Sequence, residues 1–140
     1  MQPVIIRINE CPMSELTASE YIEKALNLAT KRCQDIENNQ TANSLVPMYQ
    51  SIAAQLKYLK DVVNGTEKDK SKLRKLTFGI YAAKEFESSD EVFFERLTDA
   101  FYIASQIRKG LKVQLPHQIN KNYYEKQKRL ALLYPDDFDV

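Results

Sequence analysis

The chain has 140 residues, of which 44% are hydrophobic and 28% charged, and 20 basic side chains against 19 acidic ones leave a formal net charge of +1. A chain of this length can bury enough surface for a single core without a metal or disulfide staple. The even charge balance lacks the basic excess that marks most nucleic-acid binders, and no apolar run approaches the ~20 residues that cross a bilayer.

Two cysteines, Cys11 and Cys33, are too few for the disulfide framework of a small secreted domain. The apolar run from Val4 to Ile8 is interrupted by Arg7 and is too short for the core of a signal peptide. Both features fit a cytoplasmic protein. Residues 1–17 contain that run and are predicted to form an extended arm, with a weak strand over the VIIRI run as the alternative.

The first helix is predicted to start at Thr17, where TASE, residues 17–20, spells a capping box. Ile22, Ala25, Leu26, Ala29, Cys33 and Ile36 then recur at helical spacing as one apolar stripe, which makes Cys33 a buried structural thiol. The polar run ENNQTANS, residues 37–44, reads as a loop. A second helix begins around Pro47, carries Tyr49, Ile52, Ala53, Leu56, Leu59 and Val63 as its stripe, and ends at Asn64-Gly65. EKDKSKLRK, residues 67–75, has five basic and two acidic residues. Its alternating charge is that of a solvated helix face anchored by Leu73 and Leu76, with a phosphate-facing patch as the competing reading.

Gly79, Ala82, Ala83 and Phe86 follow at i, i+3, i+4, i+7 spacing and fall on one helical face. Glycine inside a helix costs about 1 kcal/mol relative to alanine. Either a close helix contact offsets that cost, or Gly79 marks a bend. Ser88, Ser89 and Asp90 make a break and a fresh N-cap. The helix from Asp90 to about Lys109 is the most apolar and is expected at the centre. Phe93, Leu97, Ala100, Phe101, Ala104 and Ile107 form its stripe, Phe94, Tyr102 and Ile103 widen it, and Gly110 closes it. LKVQLP, residues 111–116, reads as extended, because Pro116 biases Leu115 away from helix. A last amphipathic segment runs from about His117 to Tyr134 with Ile119, Tyr123, Leu130 and Leu133, followed by the acidic tail PDDFDV. The pattern predicts an all-α fold, a compact bundle of about five to six helices with an extended N-terminal arm.

Catalytic constellations are missing. A single histidine, His117, excludes a zinc site built on a histidine pair within the chain. There is no glycine-rich phosphate loop and no spacing that pairs a cysteine with His117. No catalytic residue, cofactor or metal ligand is assigned, and the chain reads as a non-enzyme. The remaining enzymatic route would need two carboxylates converging in a cleft. The visible acidic pairs have plainer uses: Asp90-Glu91 opens a helix, and Asp136-Asp137 belongs to the tail. A nucleic-acid reading rests on the basic runs at 68–75 and 121–129, the second of which sets Tyr123 and Tyr124 among lysines and Arg129. The overall charge balance weighs against it.

Four stretches carry a family likeness: EYIEKALNLA (20–29), AAQLKYLK (53–60), DKSKLRKLTFGIYAAKEFESSD (69–90) and DAFYIASQIRKGLKVQLP (99–116). On these the chain resembles the small helical immunity proteins of bacterial type VI secretion systems, above all the one that neutralises an NAD(P)-glycohydrolase effector. The resemblance implies a compact helical protein without enzymatic activity. It also implies a partner, a cognate effector toxin domain bound in the cytoplasm with its active site occluded. The expected organisation is an arm at 1–17, a helical immunity-like core at 18–116, and a C-terminal helix and acidic tail at 117–140 that packs on or extends the core. Candidate partner-binding residues flank the small-residue face: Lys84, Glu85, Glu87 and Asp90. Tyr58, on the polar side of the second helix, is a candidate aromatic anchor. No nucleic acid or membrane partner is expected. The alternative is a helical regulatory or scaffold domain that binds nucleic acid through its basic runs.

Overall fold

The structure, a computed structural model, describes residues 16–39 and 44–138. Most of the expected N-terminal arm, Cys11, part of the 37–44 loop and the last two residues of the tail lie outside the described residues. Six α-helices occur among them: α1 (Ala18–Asn38), α2 (Val46–Val63), α3 (Phe78–Tyr81), α4 (Glu91–Arg108), α5 (Pro116–Ile119) and α6 (Tyr123–Leu133). A 3₁₀ turn at Ser71–Lys75, a π-helical turn at Ala82–Phe86 and a second 3₁₀ turn at Pro135–Phe138 complete the chain, which is the all-α bundle expected. Among the described residues no helix is long and apolar enough to cross a membrane.

Local chemistry sets the helix ends. The Thr17 hydroxyl accepts from Glu20 N at 3.1 Å, and the Glu20 carboxylate accepts from Thr17 N at 2.8 Å, which satisfies two backbone donors that have no helical acceptor. Asp90 caps α4 by accepting from Phe93 N. Gly65, at φ +82°, supplies the left-handed residue that closes α2.

α1 and α2 form an antiparallel hairpin, tied at its open end by Ser19 to Asn64 at 2.8 Å and Lys60 to Glu23 at 3.2 Å. α4 packs on α1, on α3 and on both intervening turns, so it is central. Phe93, Leu97, Ala100 and Ile103 are fully buried with Ile22, Leu28, Ile52, Leu56, Leu59 and Phe78. α6 lies along α4 and α1. Lys126 meets Glu95 and Arg129 meets Glu91, so α6 runs antiparallel to α4.

Three expectations need correction. Residues 67–75 are not a regular helix. They form only the 3₁₀ turn at 71–75, with Leu73 and Leu76 buried as read. The glycine face is also rearranged. The π-helical turn takes more residues per turn than an α-helix, so the buried series becomes Phe78, Ala82 and Phe86, and Ala83 swings out to solvent. Finally, the segment after His117 is two helices, because Asn120 adopts an extended backbone and ends α5. Tyr123 and Leu130 are buried as expected, but Ile119 and Leu133 are 52% and 56% exposed, each short helix having its own phase.

Candidate partner-binding surface

The 77–86 segment runs antiparallel along α2. At one end the Gln55 amide accepts from Thr77 N (2.7 Å) and Phe78 N (3.0 Å) and donates to the Thr77 hydroxyl (2.9 Å). One polar side chain thereby caps the start of α3. At the other end the Tyr49 ring lies 5.7 Å from that of Phe86. Between them Gly79 faces Phe101 of α4: a Cβ there would sit 2.5–2.8 Å from the ring carbons. Of the two readings of Gly79, the close contact is the one present.

This packing leaves Lys84, Glu85 and Glu87 exposed as a ridge that ends, at Glu87, on a cleft shared with Glu91, Lys126 and Tyr134. None of their side chains is committed elsewhere among the described residues. Tyr58 sits farther along α2, about 14 Å from Tyr49 on the helix rise. It is half-buried, its hydroxyl donates to the Asp69 carbonyl at 2.7 Å, and the Lys72 ammonium lies 5.9 Å from its ring centroid. Its ring lines a shallow apolar cleft of about 270 Å³ with Ala54, Gln55, Lys72, Lys75 and Leu76.

Asp90 has a different character. Its carboxylate accepts from Arg32 Nε at 2.8 Å and Nη2 at 3.1 Å, while capping α4. Arg32 also donates to both oxygens of Asp137 at 2.8 and 2.9 Å. One guanidinium therefore clamps the start of α4 and the C-terminal 3₁₀ turn onto α1. Burial opposes the charge of Arg32, but the hydrogen bonds it donates to Asp90 and Asp137 outweigh it and raise its pKa. The same hydrogen bond from Arg32 holds the Asp137 carboxyl below its ordinary range. The tail is thus not simply a solvated acidic end.

A polar layer lies where α6 covers α4 and α1, and the apolar stripes carry no sign of it. Glu95, Arg96 and Gln106 are buried although they lie on a helix read by its apolar stripe. Glu95 accepts from Lys126 at 3.0 Å and from the Gln127 amide. Arg96 stacks its guanidinium 4.8 Å from the Phe138 ring centroid. Gln106 bonds both backbone groups of Gln114, which pins the extended 111–115 segment. Tyr21 stacks on His117 and its hydroxyl meets His117 Nδ1 at 2.7 Å, and burial pushes its pKa up to about 12. Asp99, one turn beyond Glu95, has a buried oxygen without a hydrogen-bond partner. Burial, and then the charge of Glu95, push its carboxyl up to about 7.

Glu95 and Asp99 both line a cleft of about 280 Å³ with Tyr102, Asn120, Tyr123 and Lys126. The two-carboxylate geometry that an acid–base enzyme would need is therefore present in outline. However, Glu95 is already bonded to two α6 side chains, which makes it part of the contact that seats the helix. Among the described residues no group of three or more histidine, cysteine or acidic side chains could hold a metal ion.

Comparison with known proteins places this geometry. The Tsi6 family profile matches residues 17–106. The immune protein Tsi6 of Pseudomonas aeruginosa is 35% identical over 104 residues, covering 72% of this chain and all of that protein. The fold superposes on a solved structure of Tse6 in complex with Tsi6 at a TM-score of 0.63, with 34% identity over 72% of this chain and all of that one. A structure of Tsi6 from Pseudomonas aeruginosa gives a TM-score of 0.57 at 34% identity, with 72% and 98% of the two chains covered. α5, α6 and the C-terminal turn lie beyond the stretch the family profile matches. The chain belongs to the Tsi6 family of immune proteins.

Proposed function

We propose that this protein is an immunity protein that binds a cognate type VI effector toxin in the cytoplasm and occludes its active site. The observation that carries the reading is the match of 72% of this chain to the whole of an immune protein, together with the fold shared with a relative solved in complex with Tse6. The family resemblance points to an NAD(P)-glycohydrolase as the toxin. Inhibition by occlusion asks for surface complementarity and not for chemistry. A stable complex of this kind buries about 1,200–2,000 Å² in total.

The ridge of Lys84, Glu85 and Glu87 continues the segment packed along α2, and the half-buried Tyr58 lies farther along that helix. Their separation of about 14 Å on the α2 rise fits within one footprint of about 800 Å². In this reading they contact the effector directly, whereas Asp90, held by Arg32, positions the ridge. Residues 18–116 form the inhibitory scaffold, and the segment from 117 onward extends it. The chain acts without catalysis, Glu95 serving the docking of α6 through Lys126 and Gln127.

A toxin gene is expected next to that of this protein, and co-expression with its effector domain tests the proposal. The two should co-purify, and adding the protein should abolish NAD(P) hydrolysis by the isolated toxin. Failure to bind that toxin domain would remove the proposal. Binding that blocks a toxin of different chemistry would keep the immunity role and reject the NAD(P) assignment.

A further inference from the structure

Five arginines lie among the described residues, and three of them are engaged within the fold, although the buried Nε of Arg96 has no hydrogen-bond partner. Arg32 holds Asp90 and Asp137, Arg129 donates to Glu91 at 2.7 Å, and Arg96 stacks on Phe138. Arg74 and Arg108 have no such partner, and both are exposed. They line the same cleft, of about 380 Å³, with Lys70, Ser71, Leu73 and Ile107. Three cations thus share an opening that has no acid in its lining and an apolar floor of Leu73 and Ile107. Asp69, the adjacent acid in the chain, is turned to the backbone of Ser71. The 3₁₀ turn at 71–75 brings this about, by setting Lys70 and Arg74 opposite the last turn of α4. Arg108 gains a little from the helix dipole there, but Lys70 and Arg74 have no comparable compensation.

We propose that Lys70, Arg74 and Arg108 form an anion-recognition cleft that takes an acidic segment of a protein partner, with carboxylates paired to the two guanidinium forks. The inference rests on the reading that this chain works by binding a protein, and it names the chemistry of one part of that contact. A guanidinium fork matches a carboxylate in bidentate geometry. A concentrated patch on a nearly neutral molecule also steers an acidic partner during encounter. The turn's other side chains, Lys72 and Lys75, border the apolar cleft of Tyr58, so an anchor for a protein side chain adjoins the charge. A nucleic-acid track would need a longer basic groove with exposed aromatic rings. The second basic run does not provide one. Tyr123 is buried, Lys126 and Arg129 are bonded to Glu95 and Glu91, and Lys128 faces Glu125.

The test compares the wild type, the double variant Arg74→Glu/Arg108→Glu, and a control of equal charge change outside the cleft, Lys121→Glu/Lys128→Glu. Each is titrated with an octaglutamate peptide and, by stopped flow at 25 to 500 mM salt, with the effector domain. Thermal melts check that both double variants fold. The cleft variant should lose the peptide and associate with the effector at least about tenfold more slowly, with a flattened salt dependence; the control should retain both. If the wild type binds the effector and the cleft variant matches its rate and salt dependence, the cleft proposal is wrong and the immunity role stands. Equal slowing by the control overturns it too, since only overall charge would then matter. Peptide binding through the cleft without effector binding supports the cleft and sinks the effector assignment. Competition by tripolyphosphate or a single-stranded RNA 20-mer that the cleft variant abolishes, with effector association unchanged, reassigns the cleft to phosphate and overturns the proposal.

Discussion

Gly79 and Asp99 are single residues whose environments make opposite demands. A methyl group at Gly79 would press on the Phe101 ring at 2.5–2.8 Å, a distance that ordinary packing never allows. Overpacking of this kind costs about 1–3 kcal/mol, against about 1 kcal/mol gained in helix propensity. Gly79→Ala should therefore lower stability in urea unfolding, and a variant as stable as the wild type would show that Phe101 moves aside freely. Asp99 is disfavoured as an anion, by burial first and by the charge of Glu95 second. Its carboxyl, raised to about 7, keeps a proton in the fold that the unfolded chain sheds near pH ~4. Stability must then fall as pH rises from about 4 to about 7, and the full penalty applies above that window. Asp99→Asn, which cannot ionise, should raise the melting temperature at pH 8 and change it little at pH 4.5; equal shifts at both would contradict the assignment. Asp137 has the reverse sign. Its lowered pKa gives stability that is present above its unfolded value and is lost as pH falls through the folded one.

The C-terminal segment is the element whose role changed most between sequence and structure. α6 is seated by Tyr123 and Leu130, and the turn after it is locked by Arg32. Asp137→Ala removes half of that clamp. The loss should be about 1–3 kcal/mol, between the values for exposed and fully buried pairs. Amide exchange should accelerate across 123–138 while α1, α2 and α4 keep their protection; uniform acceleration would mean that the segment is not a separable layer. The main helices were legible in the sequence because caps and stripes act within a few residues: Thr17–Glu20, Asn64-Gly65 and Asp90 all stand where they were read. The stop at Asn120 and the π-helical turn were not. A π turn differs from an α turn by one hydrogen-bond step, and nothing in AAKEF distinguishes the two before Phe86 has found Tyr49 and Phe93.

In the assembled molecule the facing sides of α1 and α4 are buried, and the outer side of the 83–85 stretch is exposed. α6 and the C-terminal turn cover α1 and α4 on one side, while α2 and the 77–87 segment keep theirs open. Lys84→Glu/Glu85→Lys/Glu87→Lys touches only exposed side chains. It should leave the melting temperature within about 1–2 °C of the wild type, as surface changes do. Affinity for the effector should fall at least about tenfold if this ridge is in the contact. Unchanged affinity in a calorimetric titration would move the interface elsewhere. The helical class, the caps, the apolar stripes and the family were already present in the order of the residues, because each depends on neighbours a turn or two away or on the run of whole motifs. Which polar groups are buried, and which cations are left unpaired, required the folded chain. Arg32 finds Asp137 and Arg74 finds Arg108 only across long stretches of sequence. Whether such a group is a bridge, a strained acid or an open cleft depends on what packs over it, and no local periodicity records that.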